Sequence, residues 1–223
     1  MKIISWNCSG KFREKFSLLK DLDADILVIQ ECENPQRYPK SDYESFSENF
    51  IWIGENQNKG LGIFARKEIS ISNNNWDSFC LRNFISVRVN NEFDVLAVWA
   101  CSPYIEEYFI YQAINFHKYT KEMVIIGDFN SNAIWDKKHS PRDHSAVVNQ
   151  LNDIGLVSAY HTVNKEFQGK ETKNTFFLYR HSDKGYHIDY AFVQENNLMN
   201  FEILDSTKWL NYSDHIPIVL KIK

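Results

Sequence analysis

The stretch from Met123 to Asn132, MVIIGDFNSN, limits the fold of this chain more than any other. Val124, Ile125 and Ile126 follow one another with no polar residue between them. β-Branched side chains pack well on a pleated surface, and an apolar run that never alternates marks a strand buried on both faces. A strand covered on both sides implies a layered α/β architecture. The run then stops at a carboxylate and a carboxamide. Gly127 is expected to turn the backbone out of the sheet. If the chain stays extended, Asp128 and Asn130 share one face while Phe129 points back to the core. Ligands bind at strand ends in folds of this class, so the tip is a candidate site.

Composition narrows the class. With 223 residues, 43% hydrophobic and 24% charged, the chain can build one large domain over residues 1–223, and no segment reads as linker or disordered tract. A net charge of −4 and a pI near 6.0 lack the broad basic footprint of proteins that hold nucleic acid by counterion release. An acidic metal site would account for part of that negative charge. Cys8, Cys32, Cys80 and Cys101 form no CxxC pair, which argues against a zinc cluster or redox dithiol and fits a reduced cytoplasmic protein. The opening residues, MKIISWN, reach a polar side chain too soon for a signal peptide, and no apolar run is long enough to span a bilayer. No membrane association and a monomeric state are expected.

Residues Lys2 to Asn7 alternate, with Ile3, Ser5 and Asn7 on one face and Ile4, Trp6 and Cys8 on the other. Phe12, Phe16, Leu19 and Leu22 recur at helical spacing and predict one amphipathic helix. Asp25 to Glu31, DILVIQE, is a second buried strand ending in a carboxylate, so a right-handed crossover and parallel pairing with the first strand follow. Short strands are predicted at 50–54, 60–65, 69–72, 84–89 and 93–99, with Asn90-Asn91 as a hairpin turn. Helices are predicted at 105–119 and 144–151, the second capped by Gly155, and Tyr160 to His187 reads as a long functional loop. The last strands are Tyr186 to Val193, with His187 and Asp189 two apart, and Ile216 to Ile222.

The polar residues that end these strands are Asn7, Glu31, Asp128, Asn130, His187, Asp189, Asp214 and His215. Carboxylates and carboxamides without thiolates are oxygen donors for a hard cation, and Mg²⁺ takes one or two carboxylates plus waters and substrate phosphate. A histidine flanked by aspartates suits a group that must stay charged or hold a tautomer. Bland readings stand beside these. Asp128 and Asn130 are also turn-capping residue types, Glu31 has a lysine partner at a sheet edge as its alternative, and His187 serves equally well bonded to a loop.

The order SWN at 5–7, QE at 30–31, GDFN at 127–130, HIDY at 187–190 and SDH at 213–215 resembles the endonuclease/exonuclease/phosphatase superfamily. Its members include pancreatic-type deoxyribonucleases, apurinic endonucleases, sphingomyelinases and inositol polyphosphate phosphatases. The resemblance spans Asn7 to His215 and implies a DNase I-like α/β fold, a four-layer sandwich of two packed mixed β-sheets flanked by helices. It implies Mg²⁺ or Mn²⁺ on Glu31, with Asn7 and Asp214 on the metal or phosphate side. It assigns Asp128 to the attacking water, Asn130 to the phosphate, and His215 with Asp189 to charge developing on the phosphate oxygens. His187, Trp135 and Tyr104 are expected to meet substrate, and Lys137, Lys138 and Arg142 form a small basic cluster nearby.

Two positions depart from the family pattern. Ser9 stands where apurinic endonucleases carry an acid, so a second metal-coordinating group is not expected. WACSP at 99–103 puts Cys101 where many members have a His or Tyr donor. The expected activity is hydrolysis of phosphodiester bonds in nucleic acid, DNA foremost, by an activated water. The alternatives are action on a small organic phosphate and a non-catalytic nucleic-acid-binding role.

Overall fold

A computed structural model describes residues 1–223. Its strands run β1 (Lys2–Asn7), β2 (Ile26–Cys32), β3 (Phe50–Asn56), β4 (Lys59–Ala65), β5 (Ile71–Asn73), β6 (Phe84–Val89) and β7 (Phe93–Trp99) through the first half. The second half carries β8 (Val124–Asp128), β9 (Leu156–Ser158), β10 (Phe176–Phe177), β11 (Gly185–Tyr186), β12 (Asp189–Gln194), β13 (Leu198–Ile203) and β14 (Ile218–Ile222). They form two six-stranded sheets, ordered β13-β14-β1-β2-β4-β3 and β5-β6-β7-β8-β12-β9, with β10 and β11 as a separate hairpin. Both large sheets are mixed. The β1–β2 and β7–β8 pairs are parallel and the remaining pairs are antiparallel.

The alternation in β1 assigns each side chain to a layer. Ile3 lies in the core between the sheets, while Ile4, Trp6 and Cys8 pack outward beneath the helices over residues 12–20. A slip of one residue would exchange those faces and lose roughly 1.5–3 kcal/mol for each large apolar side chain exposed. The second sheet is covered in turn by the helices Ile105–Asn115 and His144–Asp153, through Tyr108, Tyr111, Val147 and Leu151. The result is four layers, helix, sheet, sheet, helix.

Several expected boundaries moved. The predicted helix from Phe12 to Leu22 is two short helices, Phe12–Lys15 and Ser17–Lys20, because the amides of Leu19 and Leu22 close three-residue turns onto Phe16 and Leu19. A helix at Asp42–Phe46, capped by the Ser41 hydroxyl accepting from the Glu44 amide at 3.1 Å, went unforeseen. The loop from Tyr160 onward begins inside a helix, Ala159–Asn164, and contains the β10–β11 hairpin. The predicted strand 186–193 breaks at His187 and Ile188, since the amides of Ile188 and Asp189 both donate to the Thr175 hydroxyl at 3.0 Å. Asn90 and Asn91 do form the turn, with φ of 50° and 59°.

Gly127 does not turn the chain out of the sheet. It is a residue of β8, paired with Val98 of β7, and carries φ +153°. A Cβ there would stand 1.9 Å from the Val98 carbonyl oxygen, so only glycine permits this close pairing of the two strands. That same carbonyl accepts from the Gln30 side chain of the opposite sheet at 3.2 Å, which ties the two sheets together just beneath the strand tips.

Candidate active site

At one end of the sandwich the tips of β1, β2, β8 and β12 meet the segment preceding β14. The turn lies two residues beyond Asp128: Asn130 has φ +47°, and its amide donates to Asp128 Oδ1 at 2.8 Å while its side-chain amide donates to Oδ2 at 3.1 Å. Asp128 and Asn130 therefore face each other through an Asx turn rather than through extension. Phe129 points to the outer core, as alternation predicts. Asn7 Nδ2, from β1 in the other sheet, donates to the same Asp128 Oδ2 at 3.1 Å.

Asp128 and Asp189 are direct partners in the antiparallel β8–β12 pair, which sets two buried carboxylates side by side. His215 enters from the opposite sheet and separates their charges. Its Nδ1 lies 3.0 Å from Asp189 Oδ2, and its Nε2 lies 3.8 Å from Asp128 Oδ2. Burial pulls the His215 imidazole down, but the charges of Asp189 and Asp128 outweigh it and hold the ring up at about 10. Burial also pushes the Asp128 carboxyl up to about 7, against the pull of the neighbouring imidazolium. The result is a cationic His215 beside a carboxyl poised to accept a proton near neutrality.

Backbone anchors hold His215 in place. Its amide donates to the Ser213 hydroxyl at 3.1 Å, which in turn donates to the Asn7 carbonyl at 2.7 Å, and its carbonyl accepts from the Trp6 indole N–H at 3.0 Å. Thr175 ties together the segments that carry Asp189 and His215: its hydroxyl accepts from the Asp189 amide at 3.0 Å, and its carbonyl accepts from the amide of Ile216, the residue after His215, at 2.7 Å. Neither Thr175 nor Ser213 was singled out as a functional position from sequence. SDH includes Ser213, but a hydroxyl that props a distant strand leaves no periodic signal.

Glu31 sits on a bulge between Gln30 and Cys32, with φ +63°. The bulge aims its carboxylate at the strand tips, where Oε1 meets Asn7 Nδ2 at 3.5 Å. Oε2 is 3.0 Å from the Lys59 ammonium of β4, the lysine partnership weighed above. The donor chemistry fits a hard divalent cation at Glu31: it offers carboxylate oxygens with no thiol beside them and already draws a cationic group, whereas Asn7 turns its Nδ2 toward Glu31 and its Oδ1 accepts from the Ser9 amide at 3.1 Å. Asp128, Asp189 and His215 also cluster with potential ligand atoms within 4.8 Å of one another. The His215 ring stands between the two carboxylates of that cluster, whereas Glu31 lies apart from it on β2.

The remaining sequence candidates separate. Asp214 is next to His215 but outside the buried cluster, with Ser213 Oγ 3.4 Å from its carboxylate. His187 does not join Asp189 in the site: it is buried, its Nδ1 bonds the Lys173 carbonyl at 2.9 Å, its ring packs on Tyr160, and burial lowers its pKa to about 4. Trp135 and Tyr104 line a cavity of about 500 Å³ with Asn130, Phe176, Tyr186 and Ile188, which borders the site through Asn130, the hydrogen-bond partner of Asp128. Trp135 packs on Tyr186 with centroids 5.2 Å apart, and Phe176 covers the His215 ring at 4.8 Å. Lys138 lines the same cavity, whereas Arg142 is paired with Glu106 at 3.1 Å. Cys101 keeps its proton, pushed up to about 11 by burial, and accepts from Asn83 at 3.2 Å.

The architecture is shared with solved structures over the whole chain. A 3′-5′ exonuclease (NExo) from Neisseria meningitidis superposes with a TM-score of 0.72 at 21% identity, covering 100% of both chains. The structure described as the 3′ phosphatase NExo from Neisseria bound to product DNA hairpin gives 0.72 at 19% identity, covering 100% of this chain and 99% of the other. An AP endonuclease from Archaeoglobus fulgidus gives 0.69 at 16% identity, with 100% and 99% covered. A search of curated proteins returns no significant match. The model of the Endonuclease/Exonuclease/phosphatase family, however, matches residues 4–215, an interval that holds every strand tip of the site from Asn7 to His215. On that match, and on a fold of two mixed six-stranded sheets flanked by helices, the chain belongs to the endonuclease/exonuclease/phosphatase family.

Proposed function

We propose that this protein is a Mg²⁺- or Mn²⁺-dependent phosphodiesterase that hydrolyses nucleic acid, DNA foremost, with an activated water, acting as a monomer. The observation that carries this reading is the single network from Glu31 through Asn7, Asp128 and His215 to Asp189, opening beside an aromatic cavity. Phosphoryl transfer asks for positioning and charge neutralisation more than for covalent chemistry, and this network supplies both. The structural neighbours that act on DNA support the substrate class.

In this reading Asp128 takes a proton from the attacking water as the water oxygen bonds to phosphorus and the bond to the leaving oxygen breaks. Its raised pKa suits that task. Asn130 and Asn7 keep the carboxylate turned toward the water. His215 presents its cationic Nε2 side to the phosphate oxygens, and Asp189 holds it there through Nδ1. Glu31 would hold the divalent cation, with Asn7 Nδ2 steadying its carboxylate, and the cation would supply positive charge to offset that of the phosphate oxygens. The cavity beside Asn130 takes the sugar or base next to the cleaved bond, where stacking on Trp135 or Tyr186 is worth about 1–3 kcal/mol.

No helix of the structure is long and apolar enough to cross a membrane. The four free cysteines support the reading of a reducing compartment such as the cytoplasm. The test is to incubate wild type and Asp128→Ala with Mg²⁺ or Mn²⁺ and plasmid, single-stranded DNA, 3′-phosphorylated oligonucleotide, and a panel of nucleotides and inositol phosphates. Cleavage of the polynucleotides by wild type alone is expected. Equal background cleavage by both proteins would defeat the proposal, and turnover confined to the small esters would transfer it to that substrate class.

A further inference from the structure

The contact between Glu31 and Lys59 takes no part in the hydrolysis described above, yet it occupies the position where the cation is needed. Lys59 Nζ lies 3.0 Å from Glu31 Oε2, and the other carboxylate oxygen faces the neutral Asn7 amide. The two partners differ in freedom. Glu31 is aimed by a bulge with positive φ and its side chain is 21% exposed, whereas the Lys59 side chain is 50% exposed on a flexible four-carbon stem. Lys59 stands at the start of β4, directly after the short turn that follows β3. A second resting place for its ammonium is already at hand, since Nζ is 5.5 Å from the centre of the Trp99 ring.

We propose that Lys59 is a displaceable internal competitor for the divalent cation: its ammonium occupies Glu31 in the metal-free protein and must leave when the metal binds. This rests on the metal site assigned to Glu31 above. A divalent ion and an ammonium on one carboxylate repel each other, so binding exchanges the Glu31–Lys59 pair for a metal–Glu31 bond and moves the ammonium toward the face of Trp99. The exchange makes the metal site weaker than its oxygen donors alone would be. It also keeps the site close to neutral until the metal arrives.

The experiment measures metal binding without substrate. Mn²⁺ is titrated into wild type, Lys59→Gln, Lys59→Arg and Glu31→Gln, and free Mn²⁺ is read by its electron paramagnetic resonance signal, with circular dichroism melts to verify folding. Lys59→Gln is expected to tighten the dissociation constant roughly tenfold at low ionic strength, with the gain shrinking as salt screens the charge. Lys59→Arg keeps the cation and should stay within about twofold of wild type. Equal affinity in wild type and Lys59→Gln would overturn the competition while leaving the metal site intact. Weaker binding in Lys59→Gln would overturn it in favour of Lys59 as a support for Glu31. If every protein, Glu31→Gln included, binds Mn²⁺ alike or not at all, the metal site itself falls and the proposal falls with it.

Discussion

His215 and Asp189 share a two-oxygen contact, with the imidazole Nδ1 3.0 Å from Oδ2 and 3.2 Å from Oδ1 of the same buried carboxylate. The contact fixes the proton on Nδ1, orients the ring, and contributes the largest of the charges that raise its pKa to about 10. Asp189→Asn keeps the volume and removes that charge. Turnover should fall about a thousandfold, by loss of both orientation and imidazolium stabilisation. An NMR titration of the His215 ring should show its midpoint dropping well below that of wild type. An unchanged midpoint would mean that Asp128 alone sustains the charge.

The two titrations at the site set the pH profile. Asp128 must be ionised to take a proton, so kcat/KM rises as pH passes its value near 7, and a bound divalent cation moves that limb lower. His215 must be protonated, so activity falls as pH rises through about 10. The raised His215 pKa also contributes folding stability that is complete below the unfolded value near 6.5 and is lost as pH rises through about 10. A rate profile measured from pH 5 to 11 should be bell-shaped in wild type. A flat profile over that range would remove Asp128 as the base.

Thr175 is fully buried, and its hydroxyl serves two amides at once, those of Ile188 and Asp189. Thr175→Val preserves the shape and leaves both N–H groups without an acceptor, at a cost of about 1–3 kcal/mol for each. Thermal denaturation should show a drop of several degrees. Turnover should fall as well, since Asp189 loses its anchor, while Mn²⁺ affinity stays as in wild type. Unaltered melting would indicate that the strand break at His187 has another cause.

Trp135 lies on Tyr186 in the cavity that opens beside Asn130. Removing the indole with Trp135→Ala should raise KM for an oligonucleotide roughly tenfold, the worth of one stacked base. Hydrolysis of a small chromogenic phosphodiester, which does not reach the cavity, should change by less than about twofold. Parallel losses on both substrates would assign Trp135 to the fold instead.

Much of the architecture was legible in the residues because burial leaves local patterns. The alternation of Ile3, Ser5 and Asn7 against Ile4, Trp6 and Cys8 assigned β1 its two layers, and the Asn90-Asn91 turn was placed by the tolerance of asparagine for positive φ. The helix predicted from Phe12 to Leu22 failed for the opposite reason. Spacing of apolar residues reports which face is buried, and it does not report where hydrogen bonding tightens from four-residue to three-residue turns.

The sequence by itself determined which residues end the buried strands and what chemistry they carry, because residue type and periodicity are local properties. Only the tertiary structure decided how those ends combine. The cross-strand register made Asp128 and Asp189 neighbours, and packing of the two sheets brought His215 between them. The same long-range packing took His187 out of the site, brought Thr175 to the back of the dyad, and set Lys59 on Glu31. Each of those outcomes depends on register between strands far apart in the chain, or on a positive φ at a bulge, and neither leaves a trace in local hydrophobic spacing.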